Sequence, residues 1–129
     1  MADGARKRVL VVDDATLVRI YYRDALERAG FEVEDALNGL EALERILARA
    51  PDAVVVDINM PQMDGLTFLR ELRRRELPIG SIPAMVTSSE AGEKDVAAAR
   101  AAGANFYLVK PVDRDRLAEC VALLTGVPA

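Results

Sequence analysis

Residues 54–65 read VVVDINMPQMDG. Three valines, with Ala53 ahead of them, run without polar alternation, which is the pattern of a strand covered on both faces. The run stops at Asp57, and Met60-Pro61 ends the strand because proline has no amide to give a ladder. Asp64-Gly65 opens a helix. A doubly covered strand has no structural use for a carboxylate at its end, so Asp57 marks a candidate site.

Working outward, strand-like apolar runs occur at Arg8–Asp13, Glu32–Ala36, Ala53–Ile58, Ile82–Thr87 and Asn105–Val109. Helical spacing fills the intervals. Thr16–Ala29 places Val18, Tyr22, Ala25 and Ala29 on one face and ends at Gly30. The second helix opens with Asn38 and Glu41 in capping-box order, turns Leu43, Ile46, Leu47 and Ala50 inward, and is closed by Pro51. The third spans Asp64 to about Glu76 with Leu69 and Leu72 inward, and the alanine-rich fourth, Gly92–Ala102, stops at Gly103. The fifth is capped by Asp113 and buries Leu117, Cys120, Val121 and Leu124. Strict alternation of strand and helix predicts an α/β fold with a parallel sheet covered on both faces.

The 129 residues suit one domain, since domains cluster at about 100–150 residues, and 51% hydrophobic composition can fill one core. The sequence reads as a single domain over 1–129, with a core over about 8–124, short tails at 1–7 and 125–129, and no output domain. No apolar run approaches the roughly 20 residues of a bilayer span, and MADGARKR has no apolar segment behind it, so neither membrane insertion nor a signal peptide is expected. A lone Cys120 in an apolar stripe reads as packing in a reducing, cytoplasmic setting. A net charge of −4 argues against a general nucleic-acid surface. Arg73-Arg74-Arg75 reads as a complement to a helix dipole and an aid to solubility. With no histidine, His-based triads and His metal sites are excluded.

In open α/β sheets, ligands bind beyond the carboxyl ends of strands. The first strand ends in Asp13-Asp14, the third in Asp57 with Asn59 beyond, the fourth in Thr87-Ser88-Ser89 and the fifth in Lys110-Pro111. Singly, each has a plainer reading: Asp14 or Thr16 as a helix cap, Thr87 as a turn start, Lys110 as a solvated lysine. Their shared edge is what carries meaning. Three carboxylates and one lysine leave a charge near −2 in a small cleft, and hard oxygen ligands with few protein contacts suit Mg²⁺, or Mn²⁺ in its place. A metal, a lysine and a hydroxyl around one carboxylate make a phosphoryl-transfer site in which Asp57 is the attacking group. No phosphate-binding glycine loop occurs, so the donor is expected to be another protein.

The ordered set VVDD at 11–14, VDINMPQMDG at 56–65, MVTS at 85–88 and YLVKP at 107–111 resembles the receiver domains of two-component response regulators, of the stand-alone, CheY-like kind, over about residues 8–124. The resemblance implies a flavodoxin-like three-layer sandwich with five parallel strands in the order 2-1-3-4-5 and five helices. It implies that Asp57 is the phosphoacceptor, that Asp14, Asp57 and the Asn59 main-chain carbonyl ligate Mg²⁺, and that Asp13 holds metal-bound water. Lys110 is implied as the phosphoryl-contacting lysine, with a cis bond to Pro111, and Thr87 and Tyr107 as the switch hydroxyl and aromatic. A histidine kinase or histidine phosphotransfer protein would be the donor. Further implied partners are a phosphatase and a downstream protein that reads the surface of the fourth helix, fifth strand and fifth helix. The protein would act as a monomer. Ser89 stands where the best-known chemotaxis member has a glutamate, at a position that together with Asn59 influences access of the attacking water.

Other roles are a phosphorelay intermediate, a phosphate sink and, more remotely, a small phosphatase with an aspartate nucleophile. Haloacid dehalogenase-like phosphatases use an Asp-x-Asp pair, and Asn59 in the second position cannot transfer the proton. A flavodoxin-like cofactor carrier would need a hydroxyl-rich phosphate loop where Asp13-Asp14 would repel the phosphate.

Overall fold

The computed structural model describes residues 6–127. In chain order the elements are β1 (Arg8–Val12), α1 (Thr16–Arg28), β2 (Glu32–Ala36), α2 (Gly39–Ala48), β3 (Ala53–Asp57), α3 (Gly65–Arg73), a 3₁₀ turn (Ile79–Ser81), β4 (Ala84–Ser88), α4 (Glu93–Ala102), β5 (Phe106–Val109) and α5 (Arg114–Thr125). The strands form one parallel sheet in the order β2-β1-β3-β4-β5, the order that the resemblance implies. Of the expected tails, residues 1–5 and 128–129 lie outside the described residues, and Thr125 belongs to α5. Among the described residues no helix is long and apolar enough to cross a membrane.

The sheet separates two cores, and strand alternation sorts its side chains between them. Leu10, Val12, Val54, Val56, Ala84 and Val86 face α2, α3 and α4, where Ile46, Phe68, Leu69 and Leu72 meet them. Val9, Val11, Val55 and Met85 face α1 and α5, where Leu26, Leu117, Cys120 and Val121 meet them. β1, β3 and β4 are buried along their whole length, which accounts for their unbroken apolar runs.

Local signals set the helix ends. Asn38 Oδ1 accepts from the Glu41 amide at 2.9 Å, while Glu41 Oε1 accepts from the Leu37 amide at 2.8 Å, one residue ahead of the cap. Asp64 and Asp113 cap α3 and α5 through their side chains. Gly103, at φ 110°, ends α4 in a left-handed conformation that favours glycine.

Three expectations need correction. The buried face of α1 is Arg19, Tyr22, Ala25 and Leu26; Val18 is half-buried and Ala29 is exposed beyond the last turn. Leu47 is half exposed and Ala50 lies past the end of α2, because the buried stripe runs through Ala42, Leu43 and Ile46. The third concerns Arg73, which does more than offset a helix dipole. Its guanidinium donates to Ile82 O at 2.7 Å, Gly103 O at 2.8 Å, Gly80 O at 3.2 Å and Asn105 Oδ1 at 3.2 Å. It therefore ties the end of α3 to the segment before β4 and to the end of α4, while Arg74 and Arg75 remain exposed.

Removing Arg73 leaves carbonyls short of donors, at a cost of about 1–3 kcal/mol. Arg73→Ala is expected to lower unfolding stability in urea by that amount, and Arg74→Ala by less than about 0.5 kcal/mol. Equal effects would restore the simple dipole reading.

Candidate functional site

Side chains repeat their face every second residue along a strand, so the interior faces predict where the strand ends point. Two residues beyond Val11, Val55 and Met85 stand Asp13, Asp57 and Thr87, and two beyond Leu108 stands Lys110. All four continue the parity that faces α1 and α5. Parallel register pairs Asp57 with Thr87 directly. The Asp13 amide extends the β1–β2 ladder to Ala36 O at 3.1 Å, and the Lys110 amide extends β4–β5 to Ser88 O at 2.7 Å. The Lys110–Pro111 bond is cis.

The carboxylates of Asp13, Asp14 and Asp57 each offer an oxygen within 4.8 Å of the others. Lys110 Nζ lies 3.0 Å from Asp13 Oδ2 and 3.1 Å from Asp57 Oδ1, bridging two acids from different strands. Asp13 and Asp57 are buried and Asp14 is exposed at the mouth. Asp13, rather than Asp14 or Thr16, holds the start of α1: its Oδ1 accepts from the Ala15 amide at 2.9 Å. Gly65 is required behind Asp57, since a Cβ there would collide with Asp57 O, and its amide donates to Ile58 O at 2.8 Å.

The electrostatics follow from this packing. Burial pushes the Asp57 carboxyl above its ordinary value; the hydrogen bond from Lys110 works against that, and the neighbouring Asp13 and Asp14 charges reinforce it. For Lys110, burial works to lower the value, but the bonds and charges of Asp13 and Asp57 outweigh it and the net shift is upward. Lys110 thus stays cationic at neutral pH.

Thr87 is fully buried beside Asp57, and its Oγ1 has no hydrogen-bond partner. Tyr107, on the opposite parity, packs toward the α2–α4 core and donates its hydroxyl to Glu90 O at 2.6 Å, in the loop after β4. Phe106 packs on the α1–α5 side, as alternation requires. Asn59 is exposed in the loop after β3. Beside the acids, an open cavity of about 490 Å³ is lined by Leu17, Tyr21, Tyr22, Ser89, Lys110 and Pro111 among others.

Two residues near the site are not visible as such in the sequence. Arg19 is buried, donates to Asp13 O at 2.6 Å and sits 3.6 Å from Asp35, so it orients the strand end that carries the acids. Its only sequence signal is a charge one turn before Tyr22 on a face that buries Tyr22 and Leu26. Tyr22, counted as core from spacing, is 3% exposed and lines the same cavity as Lys110, and burial pushes its phenol above the ordinary value.

The donor set is all hard oxygen, and three carboxylates against one ammonium leave two negative charges uncompensated. Both features fit Mg²⁺, which accepts a few carboxylates and keeps waters elsewhere.

Residues 9–122 match the response regulator receiver domain family, and the chain belongs to it. It is 39% identical over 116 residues to the chemotaxis protein CheY of Bacillus subtilis, covering 88% of this chain and 93% of that protein. It is 43% identical over 115 residues to the transcriptional regulatory protein PrrA of Mycobacterium leprae, covering 89% of this chain and 47% of PrrA, so it spans about half of that longer regulator. Among solved structures, the chemotaxis protein CheY4 of Vibrio cholerae superposes with a TM-score of 0.86 at 30% identity, covering 93% of this chain and 99% of that one. The fold is accordingly the flavodoxin-like, CheY-like sandwich.

The upward shift of Asp57 has a sign for stability. A carboxyl raised in the folded state contributes most below its unfolded value of about 3.9, and that contribution is lost as pH rises through the folded value. Asp57→Asn is therefore expected to raise the melting midpoint at pH 7 in metal-free buffer, with the gain disappearing near pH 3.5. A lower midpoint at pH 7 would contradict the strained carboxylate.

Proposed function

We propose that this receiver domain is a phosphoacceptor switch, in which Asp57 takes a phosphoryl group from a phosphohistidine on a sensor kinase or phosphotransfer protein. The observation that carries the reading is the Lys110 ammonium bridging Asp13 and Asp57 beside an unpartnered, buried Thr87 hydroxyl. The site offers a nucleophile, a fixed cation and an unused donor, which are the parts that phosphoryl transfer needs.

In the proposed step an Asp57 carboxylate oxygen attacks phosphorus in line. The P–N bond to imidazole breaks, its electron pair stays on the ring nitrogen, and an acyl phosphate forms on Asp57. Lys110 neutralises phosphoryl oxygens as charge builds, and the Thr87 Oγ1–H donates to one of them. Asp14, Asp57 and the Asn59 main-chain carbonyl would hold Mg²⁺, with Asp13 reaching it through water; the ion supplies positive charge to the phosphoryl oxygens. Asp13 is suited to an outer position because Lys110 and the Ala15 amide already occupy both its oxygens. The apolar cavity beside Lys110, with Leu17 and Tyr21 exposed at its rim, favours a protein as donor over a nucleotide.

Phosphorylation then replaces a single negative charge by roughly two, with new acceptor oxygens. Thr87 turns toward them. The loop that follows β4 carries Glu90, which holds the Tyr107 hydroxyl, so the loop and the ring move together. The surface of α4, β5 and α5 is what a downstream protein would read, a local charge event biasing a two-state element. α4 offers that partner a small-residue face with Lys94 and Arg100 among its few long exposed side chains.

With acetyl phosphate and Mg²⁺ the protein should gain one phosphoryl mass, mapped to Asp57. Asp57→Asn and omission of Mg²⁺ should each reduce labelling at least tenfold. Full labelling of the Asn variant, or label on another residue, would overturn the assignment. Mg²⁺ alone should also raise the melting midpoint of the wild-type protein by compensating the acids, and an unchanged midpoint would remove the metal from the scheme.

A further inference from the structure

The β1 ladder registers on β2 and β3 as far as Val12, and the Asp13 amide adds one more bond, to Ala36 O at 3.1 Å. The peptide that joins Asp13 to Asp14 is thus the first that the sheet does not register. Asp13 and Asp57 are each held by Lys110, whereas no such ion pair reaches Asp14 among the described residues. Asp14 is exposed at the mouth, so its carboxylate is placed by the backbone it stands on.

Two bonds bracket that backbone. The Ala15 amide, after Asp14, donates to Asp13 Oδ1 at 2.9 Å, and Arg19 Nη1 donates to Asp13 O, before it, at 2.6 Å. Asp13 O and the Asp14 amide belong to one rigid peptide plane, so fixing the oxygen fixes the direction in which Asp14 leaves the strand. Arg19 is itself held. It is buried, its Nε lies 3.6 Å from Asp35 Oδ2 on β2, and Arg23 reaches the same oxygen at 3.6 Å. A guanidinium is costly to bury unless it is paired, and here a carbonyl and a carboxylate pair it. Asp35 also offsets its charge, so the donor reaches the site with little of the repulsion that a free cation would exert on Mg²⁺.

Resting on the metal-assisted phosphoacceptor reading above, we propose that Arg19 is a positioning residue for Mg²⁺ binding: it holds the Asp13–Asp14 peptide so that the Asp14 carboxylate stands in the acid cluster before any ion arrives. Arg19 touches neither ion nor phosphoryl group in this scheme. It acts through one backbone carbonyl, and the ordering of the mouth is done by folding rather than by the ion.

The test follows the amide shifts of ¹⁵N-labelled protein during titration with Mg²⁺ alone. Arg19→Gln should weaken Mg²⁺ binding about tenfold, the lower range for removal of a group that orients a metal ligand. Simple electrostatics predicts the opposite sign, since losing a positive charge near the acids favours the ion. Arg73→Ala removes carbonyl bonds near the amino ends of β4 and β5, away from the acids, and controls for general loosening. It should stay within about twofold of wild type. In metal-free Arg19→Gln the heteronuclear NOE of the Asp14 amide should fall while that of Val12, inside the ladder, is unchanged. Should Arg19→Gln not fold, Arg19→Lys keeps the charge beside Asp35 but not the planar fork, and should weaken Mg²⁺ binding about threefold or more. Equal losses in Arg19→Gln and Arg73→Ala, unchanged or tighter Mg²⁺ binding by the Arg19 variants, or an unaltered Asp14 amide would overturn the proposal while leaving Asp57 as phosphoacceptor. If wild-type protein itself fails to bind Mg²⁺, the metal leaves the reading above and this inference falls with it.

Discussion

The constraint on which the rest of the site depends is the single ammonium of Lys110 set between acids from two different strands. Like charges 4–5 Å apart repel by about 3–4 kcal/mol at an effective dielectric near 20. Three carboxylates gathered at strand ends would therefore spread apart, or bind protons, without compensation. Lys110 meets Asp13 and Asp57 at 3.0 and 3.1 Å and offsets much of this, but it is one charge against three. The remainder leaves Asp57 raised by burial and makes the mouth, where Asp14 is exposed, attractive to a divalent cation. The cluster is held short of neutrality, and that deficit is what gives it chemistry.

Holding such a cluster needs a rigid frame, and the sheet supplies one. Asp57 and Thr87 sit in direct register on β3 and β4, both within the fully buried part of the sheet. Arg19 pins the Asp13 carbonyl from α1, and Gly65 lets the chain pass close behind Asp57. On the far side Arg73 binds carbonyls of the segment before β4 and of the end of α4, fixing α3 relative to both. The acids are thus held by backbone ladders and arginines, and little of their placement depends on one another's good will in solution.

Much of this was legible in the sequence because it rests on period and order. Unbroken valine runs identify buried strands, and alternation with helical spacing identifies a parallel sheet. Residues at the ends of four strands then had to share one edge. What spacing could not resolve was which of two adjacent helical positions faces inward. Leu47 looks as apolar as Ile46, yet the sheet needs only one of them, and the other is left half exposed. Charges that turn inward were missed for a related reason. Arg19 drew no reading and Arg73 read as a dipole complement and solubility aid, and only the tertiary positions of Asp13 O, Gly103 O and Ile82 O give them partners. Tyr22 read as plain core because pattern reports the ring and not the hydroxyl at its tip.

That last distinction bears on how a change at Asp57 reaches the surface. The acids, Lys110 and Thr87 face α1 and α5, while Tyr107 packs toward α2–α4, so no side chain of the site points directly at the α4–β5 surface. Thr87 stands on β4 three residues before Glu90, whose carbonyl holds the Tyr107 hydroxyl. In the proposed switch, a signal crossing the sheet at this point would travel along the backbone of the β4–α4 loop. A population shift of this kind is only as large as the difference in contacts between the two states. In the proposed switch the Thr87 hydroxyl, buried and unpartnered in the structure, is the group whose contacts would change when Asp57 gains a phosphoryl oxygen to offer it.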